Sequence, residues 1–186
     1  AEFKTKFEAE AATERKRAQL MGDFRKATQA YDTAKTPAEK KAAAESAKKL
    51  ADANPELKQP YGPFELKVLA DSDPRAFDAK IKSLASSAEG VEPLVSYAST
   101  GAPSVQVDQR KKAMEGAIKA SGGKDLVVYY NASNFYTRIG DPKKALECAN
   151  KTLELYPTSQ FKDNADVKKT LEDLKAKAEA AVKKSS

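Results

Sequence analysis

The stretch LVVYYNASNFYTRIGDPKKALECANKTLELYP, residues 126–157, decides the fold of this chain. Apolar residues recur at helical spacing on both sides of Gly140-Asp141, which fills a turn. Asp141 is followed by Pro142, and this pair marks a helix start, because the Asp side chain caps free backbone N–H groups and proline lacks the N–H that would be unpaired there. The stretch therefore predicts two antiparallel helices joined by a tight turn.

The same device of a capping residue followed by proline recurs along the chain. Thr36-Pro37-Ala38-Glu39 has the pattern of a capping box, Asp73-Pro74 repeats the pair, and Ala102-Pro103-Ser104 is a looser version. The prolines at 37, 74, 103 and 142 are separated by 37, 29 and 39 residues. This spacing is close to the period of about 34 residues that helical-hairpin repeats show.

Composition and periodicity predict an all-α protein in one domain, residues 1–186. The chain is rich in Ala, Lys and Glu, and Trp is absent; this composition favours helices over sheets. A last helix with one apolar stripe would serve as a C-terminal cap. The expected elements are hairpins at about residues 3–55, 62–89, 91–121 and 126–157, then a capping helix at about 164–183.

Residues 126–157 resemble a tetratricopeptide (TPR) repeat. Tyr129 and Tyr136 stand at the two large aromatic positions, Ala145 is the small residue where the two helices touch, and Pro157 closes the unit. Other family positions differ and are occupied here by Ala132, Ser133, Ala149 and Thr152. The resemblance implies a TPR-like α-solenoid of stacked hairpins, whose first helices line a groove that binds a partner protein or peptide.

The resemblance also implies a set of groove residues, which are Val127, Tyr130, Asn131, Asn134, Thr137 and Arg138. Asn131 and Asn134 are three residues apart and share a helix face, and an Asn side chain both donates and accepts hydrogen bonds. Arg138 suits a two-pronged contact with a carboxylate. Tyr130 is the aromatic expected to be exposed, because Tyr129 takes the buried position. The alternative interpretation is that these are ordinary polar surface residues of a helix.

Charge and residue usage argue against several function classes. The formal charge is +6, but basic and acidic residues are interleaved along the chain, which indicates solvated helix faces and no nucleic-acid surface. There is no His and only one Cys, so Ser-His and Cys-His nucleophile pairs and the usual zinc sites are absent from this sequence. We therefore expect a non-catalytic protein without cofactor or metal, in which Cys148 is a small residue of a helix interface.

Two weaker resemblances bear on location and on an alternative function. Residues 155–159 (LYPTS), followed by Ala165, are similar to a turn of TPR proteins in the bacterial cell envelope. Residues 23–79 resemble, through segments 34–40, 61–64 and 73–78, the helical N-terminal segment of some secreted bacterial proteins that carry a thioredoxin domain, although no Cys-x-x-Cys follows here. Both imply a periplasmic or secreted protein.

The alternative function is a structural helical module or accessory subunit of a larger exported assembly, for which the second resemblance suggests a thioredoxin-like protein as an associate. In that case we expect an exposed apolar stripe at the Phe3–Phe7 end to dock one fixed neighbour. We expect no membrane-spanning helix, because the longest uncharged run, residues 126–137, is too short to cross a bilayer.

Overall fold

The computed structural model describes the backbone of residues 2–102 and 104–185, and the side chains of residues 10–102 and 104–185. In these ranges the chain is all-α, with no strand, and three short 3₁₀ turns lie at Pro55–Leu57, Ala88–Gly90 and Tyr156–Thr158. The α-helices are α1 (Glu2–Thr33), α2 (Pro37–Ala53), α3 (Lys58–Ser72), α4 (Pro74–Leu84), α5 (Val91–Ser99), α6 (Val107–Ala120), α7 (Leu126–Arg138), α8 (Pro142–Leu155) and α9 (Ala165–Ser185). The all-α prediction is confirmed. The side chains of Phe3 and Phe7 lie outside the described residues.

Three helices begin at the prolines that the sequence singled out. At α2, the Thr36 hydroxyl accepts a hydrogen bond from the Glu39 N–H (3.2 Å), and the Glu39 carboxylate accepts one from the Thr36 N–H (3.0 Å). A further bond from the Lys35 N–H is the largest cause that lowers the pKa of Glu39. The carboxylates of Asp73 and Asp141 cap α4 and α8 by accepting hydrogen bonds from backbone N–H groups of the first turn. These capping predictions are confirmed.

The predicted start of α6 is wrong by a few residues. The helix begins at Val107, after a residue in left-handed conformation, Gln106 (φ 49°), whereas Pro103 lies outside the described residues. The Gln106 side chain accepts a hydrogen bond from the Tyr97 hydroxyl (2.9 Å) and donates one to the Asp71 carboxylate. These side-chain bonds stabilise the turn before α6, so the helix begins later than predicted. They do not correspond to any local capping pattern in the sequence.

The chain divides into two compact units, Ala1–Val68 and Leu69–Ser186. In the first unit α1 packs against α2. Small residues on α2, four apart, let the helices approach closely, and the Tyr31 and Phe64 rings meet edge to face with centroids 5.4 Å apart. The core of this unit contains Phe24, Ala27, Tyr31, Ala43, Ala47, Ala51, Leu57 and Phe64. The single-domain organisation stays a prediction.

In the second unit the helices pack mainly against their neighbours in the chain. Helix α5 packs against α6 and α7, α7 packs against α8, and α9 packs against both α8 and α7. Ala145 is fully buried, and its carbonyl accepts a hydrogen bond from the buried Ser133 hydroxyl (2.9 Å). This bond ties α7 to α8, so the prediction that Ala145 lies where these two helices touch is confirmed.

Two glycines mark opposite steric situations. A Cβ placed on Gly90, in the turn before α5, would lie 1.9 Å from the Leu84 carbonyl oxygen. This is a severe clash, so only glycine fits at this position. A Cβ on Gly22, within α1, would meet no atom within 4 Å. Gly90 therefore allows the chain between α4 and α5 to turn against the end of α4.

Candidate functional site

An apolar cleft of 310 Å³ lies between α7 and α9, and we call it the α7–α9 cleft. Its lining residues on α7 and α9 come from the first two turns of each helix, so both helices begin at this cleft. The lining consists of Leu126, Val127 and Tyr130 from α7, Phe161 and Asn164 from the preceding loop, and Asp166, Val167, Thr170 and Leu171 from α9. The site is thus predominantly apolar with a few polar groups, as small-ligand and side-chain pockets usually are.

The walls of the α7–α9 cleft are fixed by hydrogen bonds at both helix starts. The Asp125 carboxylate accepts from the Val127 N–H (2.8 Å) at the beginning of α7. The Asn164 side-chain oxygen accepts from the Asp166 N–H (3.1 Å) at the beginning of α9, and the Asn164 backbone carbonyl accepts from the Tyr156 hydroxyl (3.0 Å). Because these N–H groups already have partners within the chain, they are not available to a ligand. A ligand in the cleft would therefore meet mainly apolar side chains.

Two of the six predicted groove residues line this cleft. Val127 keeps 46% of its surface exposed at the rim of this cleft. Tyr130 is half-buried and packs against a core cluster formed by Leu126, Tyr156 and Leu171. An apolar side chain that entered the cleft would therefore contact both an exposed residue and the edge of the core.

The other four predicted groove residues hydrogen-bond within the protein. Asn131 donates to the Val127 carbonyl (2.8 Å), Asn134 to the Tyr130 carbonyl (3.1 Å) and Thr137 to the Ser133 carbonyl (2.8 Å). These three bonds run back to the preceding turn of the same helix. Each Asn side chain uses one of its two N–H donors in this way, so the amide oxygen and the second N–H are left for a ligand.

Arg138, the last predicted residue, bonds to α5. Its guanidinium donates to the Ser99 carbonyl (2.6 Å). Arg110 acts at the same place: it is only 2% exposed, and it donates to the carbonyls of Ala98 (2.8 Å) and Ala102 (2.7 Å). The two guanidinium groups thus satisfy carbonyls at the end of α5 and in the loop that follows.

Arg110 is a residue that the sequence did not indicate. Its guanidinium lies 5.4 Å from the centre of the Phe135 ring, a cation–π geometry. Burial, and then the neighbouring Arg138, lowers the pKa of Arg110. No carboxylate balances it among its hydrogen-bond partners, so its role here is to hold carbonyl oxygens at the end of α5.

A second cleft, of 440 Å³, lies between α6 and α8 with α7 beside it, and we call it the α6–α8 cleft. Tyr129 lines it and is half-buried, whereas Tyr136 is buried. Cys148 also lines it and is 5% exposed; burial, followed by the Glu147 carboxylate, raises the pKa of its thiol to about 11. The thiol is therefore neutral at physiological pH, in keeping with the predicted interface role.

Residues from α9 and the loop before it were missed by sequence reasoning. Val167 and Leu171 belong to the apolar stripe predicted for the last helix, and they line the cleft together with Thr170. A signal was present in Phe161, a large apolar residue within an otherwise polar loop.

Within residues 10–102 and 104–185, no group of three or more His, Cys, Asp or Glu side chains is placed to hold a metal ion. None of the described helices combines the length and apolarity needed to cross a membrane. No protein-family model, curated protein or solved structure matches this chain.

Proposed function

We propose that this chain is a non-catalytic protein-interaction scaffold with a TPR-like stack of helices, and that its α7–α9 cleft binds one large apolar side chain of a partner protein or peptide. The observation that carries the proposal is the exposed Val127 at the rim of a 310 Å³ apolar cleft. Val127 continues the apolar lining of the cleft onto the surface, so the side chain of a partner could cover both.

The packing order in the second unit supports the TPR-like part of the proposal. In a stack of hairpins, the first helix of each hairpin contacts its own second helix and the first helix of the next hairpin. Here α5 contacts α6 and α7, and α7 contacts α8 and α9. In this arrangement α5, α7 and α9 would be the groove-lining helices, and the α7–α9 cleft would be a part of the groove.

The free energy gained by burying a single apolar side chain indicates what kind of partner the cleft needs. Burying one large apolar side chain contributes about 1.5–3 kcal/mol, which alone corresponds to weak binding. A partner of useful affinity must add further contacts along α7, where Asn131 and Asn134 keep an amide oxygen that can accept a backbone N–H. We therefore expect a peptide segment with one apolar anchor and polar backbone contacts beside it.

A peptide-display selection tests this proposal directly. Random peptides would be selected on wild type, and the enriched peptides measured against Val127→Asp and the matched control Val105→Asp. Val105 is 52% exposed in the loop before α6 and is not part of the cleft. An Asp in the first turn of α7 is compatible with the helix dipole, so Val127→Asp is expected to fold.

The expected result is enrichment of peptides with a large apolar residue, whose binding weakens at least about tenfold, or about 1.4 kcal/mol, in Val127→Asp and is unchanged in Val105→Asp. The proposal is wrong if no peptide is enriched, or if both variants bind the enriched peptides equally well.

A further inference from the structure

The α6–α8 cleft is lined by a buried tyrosine, Tyr136, whose hydroxyl has no hydrogen-bond partner among the described residues. Tyr136 is only 2% exposed, and it lines this 440 Å³ cleft. Its hydroxyl makes no hydrogen bond to any described residue and is not closed off from the cleft, so it is open to a ligand. Burial, and then the Glu115 carboxylate, raises the pKa of Tyr136, so the hydroxyl keeps its proton.

The charged residues of the α6–α8 cleft are unequally paired. On α8, Lys144 pairs with Glu147 (3.6 Å) and Lys151 pairs with Glu154. Glu115, which faces them from α6, forms no ion pair with any described residue. Among the residues that line this cleft, three carboxylates face two ammonium groups, so the lining carries one net negative charge, at Glu115.

The remaining lining is suited to the aliphatic or delocalised part of a cation. Tyr129 and Tyr136 lie seven residues apart, two turns along the same helix, and Ile118 of α6 also lines the cleft. Aromatic rings attract cations through their negative faces, and an apolar wall accommodates methylene groups. A volume of 440 Å³ falls in the range of pockets for small molecules or single side chains.

We propose that the α6–α8 cleft binds a cationic nitrogen group, an alkylammonium or a guanidinium, whose charge meets the Glu115 carboxylate and whose N–H donates to the Tyr136 hydroxyl oxygen. An anion fits poorly, because both lysines of the cleft are already paired with carboxylates. The cation has two sources, a free small amine or the Lys or Arg side chain of a partner. The inference does not depend on the function proposed for the α7–α9 cleft.

The test is an NMR titration of the full 186-residue chain, labelled with ¹⁵N. The probes are n-butylammonium, n-butylguanidinium and, as the neutral isostere, 1-butanol. We expect saturable shifts at amides of α6, α7 and α8 around the cleft with both cations, in the millimolar range that one charged contact provides, and none with 1-butanol. Acetyl-Gly-Arg-Gly-amide distinguishes the sources: binding as tight as butylguanidinium indicates a partner side chain, and weaker binding indicates a small amine.

Variants identify the groups responsible. Glu115→Gln removes the charge at an exposed position and is expected to weaken binding of both cations at least about tenfold. Tyr136→Phe keeps the ring in place and is expected to weaken binding several-fold, with its fold checked by circular dichroism. Glu172→Gln on α9, outside the cleft, is the matched control and should bind like wild type.

The proposal is overturned if wild type shows no saturable shift up to about 100 mM cation, a concentration at which even very weak sites fill. It is also overturned if 1-butanol gives the same shifts as butylammonium, or if Glu115→Gln binds the cations as tightly as wild type.

Discussion

Tyr129 and Tyr130 are consecutive in the sequence, yet they line different clefts. Tyr129 lies in the α6–α8 cleft and Tyr130 in the α7–α9 cleft. Neighbouring residues of an α-helix project about 100° apart, so one helix can serve two surfaces. Helix α7 therefore contributes a wall to both clefts.

This arrangement predicts separable losses of binding. Tyr130→Ala should weaken the apolar peptide about tenfold and leave the cation unaffected, and Tyr129→Ala should do the reverse, because each ring contacts one ligand only. Peptide and butylguanidinium affinities would be measured on both variants after their helicity is matched to wild type. Equal losses of both ligands in either variant would contradict the assignment of the two clefts.

Gly90→Ala should destabilise the protein strongly, because the new methyl group would lie 1.9 Å from the Leu84 carbonyl oxygen and the backbone must move. We expect the free energy of unfolding to fall by about 3 kcal/mol. Gly22→Ala, where the methyl group meets nothing, should raise it by about 0.5–1 kcal/mol. Urea unfolding followed by circular dichroism measures both, and similar effects of the two changes would refute the predicted clash.

Arg110→Met should lower the free energy of unfolding by about 2–4 kcal/mol, because it leaves the carbonyls of Ala98 and Ala102 without their donor. Arg110→Lys should restore only part of the lost free energy of unfolding, because an ammonium group cannot donate in the two fixed directions of the guanidinium. Arg138→Met, at an exposed position, is the control and should cost under about 1 kcal/mol. Full rescue by Lys would show that charge alone, and not the geometry of the guanidinium, matters there.

Stability should fall as the pH rises above about 8.5, the ordinary pKa of a cysteine thiol. Burial raises the pKa of Cys148 to about 11 and that of Tyr61 to about 12, so the unfolded chain loses these protons first. The unfolded state then binds fewer protons than the native state, and stability decreases with pH by up to about 1.4 kcal/mol per unit for each such group.

Urea midpoints at pH 7.5, 9 and 10.5 would measure this decrease. Tyr97 and Tyr136, whose pKa values burial also raises, add to it at the upper end. Cys148→Ala should flatten the first part of the curve, between about pH 8.5 and 10. A stability that is constant or rises over this range would contradict the prediction.

The sequence allowed the prediction of the helices that local chemistry specifies. Thr36, Asp73 and Asp141 cap their helices with their own side chains, so the signal lies within four residues of each start. The start of α6 could not be predicted in this way, because Gln106 is held by Tyr97 and Asp71, the latter 35 positions away. Long-range bonds of this kind leave no pattern in a short window of sequence.

The same distinction applies to the candidate site. Val127 and Tyr130 were selected from positions within one helix, and they do line a cleft. The opposite wall, with Phe161 and Thr170, depends on how α9 packs, which sequence periodicity does not give in detail. Nothing in the sequence distinguishes Arg110 from the other 32 basic residues. Its burial depends on hydrogen bonds to carbonyls at the end of α5, which only the fold brings near it.

The double role of α7 has a thermodynamic consequence. If a ligand in one cleft shifted α7, it would change the affinity of the other cleft, because α7 is a wall of both. By reciprocity the second ligand must then change the affinity of the first by the same factor. The buried face of α7 is fixed to α8 through the hydrogen bond from Ser133 to Ala145. This contact limits the movement of α7 and therefore the size of the coupling between the two ligands.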